Sequence, residues 1–243
     1  MNTHTKPSDI ASSTSNTGSE VPFSFDELFF SRTDGKGIIL SGNSVFQRVS
    51  IYSWNEILHK PHKIIRHPDM PRAVFWLLWN TIKSGQPVGA YVKNKAKDGR
   101  HYWVFAIVTP IDGGYLSVRL KPSSSLFRRI QEEYITLKKV EKSDNPSPEE
   151  SANLLLARLK ELGFRNYNAF MASALSHEII ARDKQLKKRE DPSINNFNNL
   201  VESAQHLLDH TKEIFHNYEG HRHVPLNLQV HAAQLGETGA AIG

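Results

Sequence analysis

The sequence contains no cysteine. That removes disulfides, zinc–thiolate centres, iron–sulfur clusters, covalent c-type haem and cysteinyl–flavin adducts from its chemistry. No apolar run approaches the ~20 residues a membrane-spanning helix needs. The Ser/Thr-rich start has no apolar h-region, so neither membrane insertion nor a secretory leader is expected, and the location expected is cytoplasmic. Charge of one sign is not in large excess. A formal +5 over 243 residues permits an anionic ligand but does not argue for nucleic acid, and none is expected as a partner. No nucleophile–base pair and no triad-like histidine context is legible, so no catalytic residues and no enzyme activity are expected. What is present is 39% hydrophobic residues, enough for a core, on a length that fits one or two domains.

One stretch organises the rest: residues 60–79, KPHKIIRHPDMPRAVFWLLW. Pro68 and Pro71 fix φ and withhold two backbone donors, so residues 66–71 cannot be helix interior. They hold a cation, an imidazole and a carboxylate on a stiffened turn. A run with apolar side chains on nearly every face follows, from Val74 through Phe75, Trp76, Leu77, Leu78 and Trp79 to Ile82; a helix apolar all round is a buried one. Two readings fit the pattern. One is a capped helix entry, with Asp69 accepting from the free N–H groups and Pro71 in the first turn. The other is the wall of a ligand pocket.

Along the chain, residues 1–22 are polar and read as a disordered leader. Residues 23–122 read as one α+β domain. Leu28-Phe29-Phe30 and Ile38-Ile39-Leu40 form a hairpin about Asp34-Gly35, a strong turn signal. Asn43 or Ser44 caps a short helix, and Ser53 with Glu56 is spaced as a capping box for the next. The buried helix spans about residues 71–84, with Gly85 placed as a terminating glycine. Three strands then follow, over residues 88–95, 102–108 and 115–120, joined at Asp98-Gly99 and Gly113-Gly114. Residues 123–148 read as an amphipathic connecting helix and a linker. Residues 149–243 read as all-α. Leu155, Leu159 and Leu162 make one stripe, which Gly163 interrupts. Tyr167, Met171, Ala174 and Glu178 make a second. The third runs through Phe197, Val201, Ala204, Leu208, Thr211, Phe215 and Tyr218 in alternating steps of four and three, as a heptad seam does, and Gly220 is expected to close it. His206 and His210 are spaced to ligate zinc or nickel, but the third ligand has no compelling position. No metal site is assigned, and a polar helical face is the plainer reading.

The strings FQRVSIYSWNEI, KPHKIIRHPDMP, YVKNKAKDG and HYWV, with the Asn43 turn and the Phe75 to Trp79 helix, resemble the PAS domains of bacterial aerotaxis receptors. The resemblance runs from about Asp26 to Arg119. It implies a five-stranded antiparallel sheet with helices on one face, FAD held non-covalently, and a redox or oxygen-sensing role. Carried over by position, it assigns cofactor binding to Asn43, Arg66, His67, Asp69, Trp79 and Asn94. Arg66 suits phosphate oxygens, the two asparagines the polar edges of a flavin ring, and Trp79 its flat face. Val88 stands where that family usually has tryptophan. Residues 226–239 resemble the hairpin tip of methyl-accepting chemotaxis proteins, without the returning arm, as a truncated or degenerate segment. Together the resemblances imply a homodimeric signal-transduction protein relaying to a chemotaxis kinase, its coupling protein or a receptor. The alternatives are a cofactor-free PAS interaction module and a haem-binding PAS sensor ligated by His62 or His67.

Overall fold

Asp34-Gly35 and Asp98-Gly99 turn where the sequence places turns, and the strands they join build the frame for everything else. A computed structural model of the chain describes residues 18–189 and 191–221. Two compact units divide at Glu190 and Asp191. The first holds β1 (Phe29–Thr33), β2 (Ile39–Gly42), α1 (Ser44–Ser50), α2 (Trp54–Ile57), a 3-10 turn (His62–Ile65), α3 (Arg72–Lys83), β3 (Val88–Lys95), β4 (His101–Ile111), β5 (Gly114–Leu120), α4 (Ser125–Ser143), α5 (Pro148–Glu161) and α6 (Tyr167–Gln185). The five strands form one antiparallel sheet in the order β2-β1-β5-β4-β3. This is the α+β sheet that the PAS resemblance implied, followed by helices. Its folded part starts inside the expected leader: Ser19 and Val21 pair through their backbones with His101, and Val21 is buried.

The period of two along each strand separates two faces. Cross-strand pairs Ser31 with Ser117, Phe29 with Arg119, and Ala106 with Arg119 fix the register of the inner face. α1, the 3-10 turn and α3 cover it. Asn43 caps α1 by accepting from Phe46 N at 3.1 Å, and the Ser53–Glu56 capping box forms as the spacing predicts. The outer face carries Tyr91, Trp103 and Phe105. Tyr91 and Phe105 are fully buried because Phe127 of α4 and Phe170 of α6 pack against Tyr91. Trp103 lies against Phe127 and Tyr134. The C-terminal helices α4 to α6 therefore belong with the sheet. Only four residues separate α4 from α5, and the unit boundary falls after α6 rather than after the expected linker.

α3 needs apolar side chains on most faces because it packs on strands β3 and β4 and also on α5. Its N-terminus is not capped by Asp69, as the local pattern suggested. Pro71 occupies the N-cap with no side-chain bond. The carboxylate of Glu141, on α4, accepts from Arg72 N at 2.6 Å and Ala73 N at 3.4 Å. An acceptor from another helix satisfies the orphan donors that the turn's own aspartate does not reach.

The second unit contains α7 (Pro192–His221), which runs through the expected stop at Gly220. Of the expected seam, Phe197, Phe215 and Tyr218 are exposed and Val201 and Leu208 are half-buried, while Leu200, Leu207 and Ile214 beside it are exposed as well. The segment resembling a receptor tip lies outside the described residues.

Candidate cofactor site

Between α3, the 3-10 turn and the inner face of the sheet lies a partly open cavity of about 200 Å³. α3 supplies Phe75, Leu78, Trp79 and Ile82, β3 supplies Val92 and Asn94, and β5 supplies Tyr115, Ser117 and Arg119. Trp79 and Tyr115 meet edge to face, with ring centroids 5.7 Å apart. Lys36, Lys63, Arg66 and Arg119 line it as well, and among the described residues no aspartate or glutamate does. An aromatic cavity with four cations and no carboxylate suits a flat ligand that carries negative charge.

Arg119 carries the strongest electrostatic feature. It is 3% exposed and all its hydrogen bonds go to neutral groups. It donates to Ser31 Oγ at 3.0 Å, to Ser117 O at 3.4 Å and to His62 Nε2 at 2.7 Å. A buried guanidinium without a counter-ion is costly, and burial lowers its pKa to about 10. His62 accepts with Nε2, which fixes the proton on Nδ1. Burial, then the charges of Arg119 and Arg66, hold its pKa down to about 3, so it is neutral at physiological pH. A haem iron would have to compete with Arg119 for that nitrogen. Ser117 Oγ is buried without a hydrogen-bond partner, and the Asn94 amide makes no side-chain hydrogen bond among the described residues. Both sit in the cavity wall with bonding capacity unused. The Arg66 guanidinium lies 3.5 Å over the Phe75 ring, a cation–π seat that holds it without an anion.

Of the six residues singled out from the sequence, the fold brings Arg66, Trp79 and Asn94 together in this cavity. Asn43 lies elsewhere and stitches β1 to α1, accepting from Phe30 N at 3.3 Å and donating to Leu28 O at 3.0 Å. His67 and Asp69 lie outside it. His67 Nδ1 accepts from Asp69 N at 3.1 Å, and burial lowers its pKa. Asp69 pairs with Lys93 at 2.8 Å, and the bond from Lys93 holds its carboxyl below the usual range. It faces a separate groove with Trp103, Tyr134 and Lys138. Val88 is fully buried and does not line the cavity, whose aromatic wall comes from Trp79 and Tyr115. Local reading missed Arg119, Ser117, Tyr115, Lys36 and Lys63. A charge in the inward phase of a strand was the available signal for Arg119.

Gly37 supports the Trp79 wall. Its φ is +80°, and a Cβ there would lie 2.9 Å from Trp79 Cη2. Gly37→Ala should therefore strain the turn by about 1–3 kcal/mol and push the indole toward the cavity. A lower melting temperature with a shifted tryptophan emission is expected; unchanged emission would mean that the ring is not held by this contact.

Residues 39–118 match the family described as PAS fold. The chain is 36% identical over 126 residues to the aerotaxis receptor of Escherichia coli K12, a match covering 50% of this chain and 25% of the receptor. It is 30% identical over 81 residues to the nitrogen fixation regulatory protein of Klebsiella pneumoniae, covering 33% of this chain and 16% of that protein. Among solved structures, the light state of the blue-light photoreceptor Aureochrome1 LOV aligns with a TM-score of 0.39 at 21% identity, over 43% of this chain and 88% of that one. The chain thus spans about a quarter of the receptor's length and less of the regulatory protein's.

Proposed function

The chain carries a PAS domain, and we propose that this domain is the sensor of a signal-transduction protein that binds FAD non-covalently and responds to its redox state. The observation that carries this reading is the cavity itself: aromatic walls, four cations, no carboxylate, and polar wall atoms with unused bonding capacity. The likeness to an aerotaxis receptor supports the same reading.

In this assignment Trp79 packs against the flat ring, and Asn94 and Ser117 meet its polar edge. Arg66, Lys36 and Lys63 hold the phosphates. Arg119 faces the ring with a positive charge that nothing else in the cavity neutralises. A bound flavin supplies reversible electron transfer that the protein's side chains lack. The chain's own part is to bind, orient and respond. A buried cation favours whichever ligand state carries more negative charge at its edge, so Arg119 ties the redox state to the position of β5. α4 follows directly after β5. Through Glu141, the far end of α4 is bonded to the start of α3, the helix that forms the cavity's aromatic wall. α4 is thus joined at both of its ends to elements that line the cavity and is the natural relay toward the helices that follow.

The partners proposed are a second copy of the chain and a chemotaxis kinase, its coupling protein or a receptor, in the cytoplasm; no catalytic role is proposed. The test is the absorption spectrum of the purified protein before and after adding FAD. Flavin bands that survive desalting, and that weaken in Arg66→Ala and Trp79→Ala, are expected. No bands even with added FAD would overturn the assignment.

A further inference from the structure

β3 is an edge strand, and an unprotected edge invites wrong pairing. Two features close it. At one end, the turn before α3 places Met70 Sδ 3.1 Å from Lys93 N. At the other end lies α6. Tyr167 OH donates to Gly89 O at 3.0 Å, Gly89 N donates to Met171 Sδ at 2.7 Å, and Tyr91 OH donates to Glu178 Oε1 at 2.9 Å. All three bonds end on β3.

Glu178 is fully buried and forms no ion pair among the described residues. Beyond Tyr91, its carboxylate accepts from Ser123 N at 2.7 Å, Ser124 N at 3.2 Å and Ser124 Oγ at 2.5 Å. One side chain thus joins α6, β3 and the junction between β5 and α4. The other anchors are apolar packing of Tyr167, Phe170 and Ala174, with half-buried Met171 and Leu175, and Arg182, which reaches Phe25 O at 2.7 Å and Asp26 O at 3.4 Å. The hydroxyls of Ser123 and Ser176 are buried without partners, a penalty that hydration on opening would remove. Gly163, at φ +96° with open space about it, supplies a pivot just before α6.

We propose that α6 is a releasable strap, clasped to β3 by Glu178 and Tyr91 and opening as one body about Gly163. Tyr91 lies between Val92 and Ala90, and Val92 with Asn94 faces the cavity on the opposite side of the same strand. A displacement of β3 by a ligand therefore reaches the clasp through a single strand, a coupling that rests on the sensor reading above. Directional bonds suit this task because they fail over a small displacement, whereas apolar packing yields gradually.

Hydrogen–deuterium exchange on the full chain tests it. In the ligand-free protein, residues 167–185 should exchange as a group at least tenfold faster than β4; exchange at the β4 rate would overturn the strap. Glu178→Gln sets an amide NH2 among donors, and Gly89→Ala puts a Cβ 2.8 Å from Met171 Cγ and 3.0 Å from Phe105 Cζ of β4. Each should speed α6 exchange at least tenfold more while β5 keeps its protection. Unchanged α6 exchange in both variants would overturn the proposal. Should either variant fail to fold, the wild-type comparison and Tyr91→Phe, which deletes one bond, decide the matter. Adding FAD separates the two claims. If flavin bands show binding and α6 exchange does not change, the coupling is wrong. If FAD does not bind, the sensor reading fails and the exchange data still decide the strap.

Discussion

Replacing Arg119 with glutamine should weaken FAD binding about ten- to a hundredfold without lowering the melting temperature of the ligand-free protein. Arg119 is buried among neutral partners, so its charge costs the ligand-free fold and is recovered only when an electron-rich group sits beside it. Glutamine keeps donors for Ser31 and His62 but removes the charge. Hydrogen bonds to charged groups contribute about 1.5–3 kcal/mol, and about 1.4 kcal/mol is tenfold in affinity, which sets the expected range. Arg119→Met, which also strips the donors, should lose both affinity and stability. A destabilised glutamine variant with undiminished FAD affinity would show that the residue is structural.

The same substitution has a pH signature. His62 is held down to about 3 in the folded chain, against about 6.5 when unfolded. As pH falls below 6.5 the unfolded chain takes up this proton and the folded chain does not. His62 therefore costs stability progressively between pH 6.5 and about 3, with a slope approaching 1.36 kcal/mol per unit. In Arg119→Gln one of the charges opposing protonation is gone, so the folded chain should take up the proton at a higher pH and the acid loss should level off sooner. Urea melts of both proteins at pH 7.5, 5.5 and about 3.5 measure it.

Glu141→Ala should lower the melting temperature by roughly 10 °C. The carboxylate is almost completely buried. It accepts from two backbone N–H groups of α3, from Ser151 Oγ at 2.6 Å on α5, and from Lys138 Nζ at 3.1 Å. Removing it orphans these donors together, and breaking a buried ionic cluster from one side costs about 3–5 kcal/mol. At about 2–4 °C per kcal/mol for a unit of this size, the shift follows. Asp69→Ala is the informative control, since the Asp69 side chain is 60% exposed where it pairs with Lys93 and the pair should contribute about 1 kcal/mol or less. The reverse ranking would restore the local capping reading of the turn.

That ranking marks where the sequence was readable and where it was not. The hairpins were legible because Asp-Gly turns and alternating strands are local, as were the Ser53–Glu56 box and the all-round apolar α3. The cap of α3 was not, because Glu141 comes from 69 residues away and nothing near Pro71 announces it. Arg66, Trp79 and Asn94 were found through a resemblance and meet in the cavity. Asn43, His67 and Asp69 came by the same route and lie elsewhere, because a shared string fixes a backbone more surely than it fixes what each side chain faces. Arg119 was legible in principle. Tyr115, Ser117 and Arg119 alternate on one face of β5, and a lone cation in the inward phase needs either a counter-ion or a ligand. The clasp at Glu178 joins three elements distant in sequence and leaves no local trace.

The central claim is that an anionic flavin occupies the cavity between α3 and the sheet. Titrating the ligand-free protein with FAD and, separately, with riboflavin by isothermal calorimetry tests it most directly. The ring is common to both, while only FAD carries phosphates for Arg66, Lys36 and Lys63. One-to-one binding of FAD, at least tenfold tighter than riboflavin and weakened in Arg66→Ala, is the expected result. No heat with either ligand, or equal affinity for both, would contradict it.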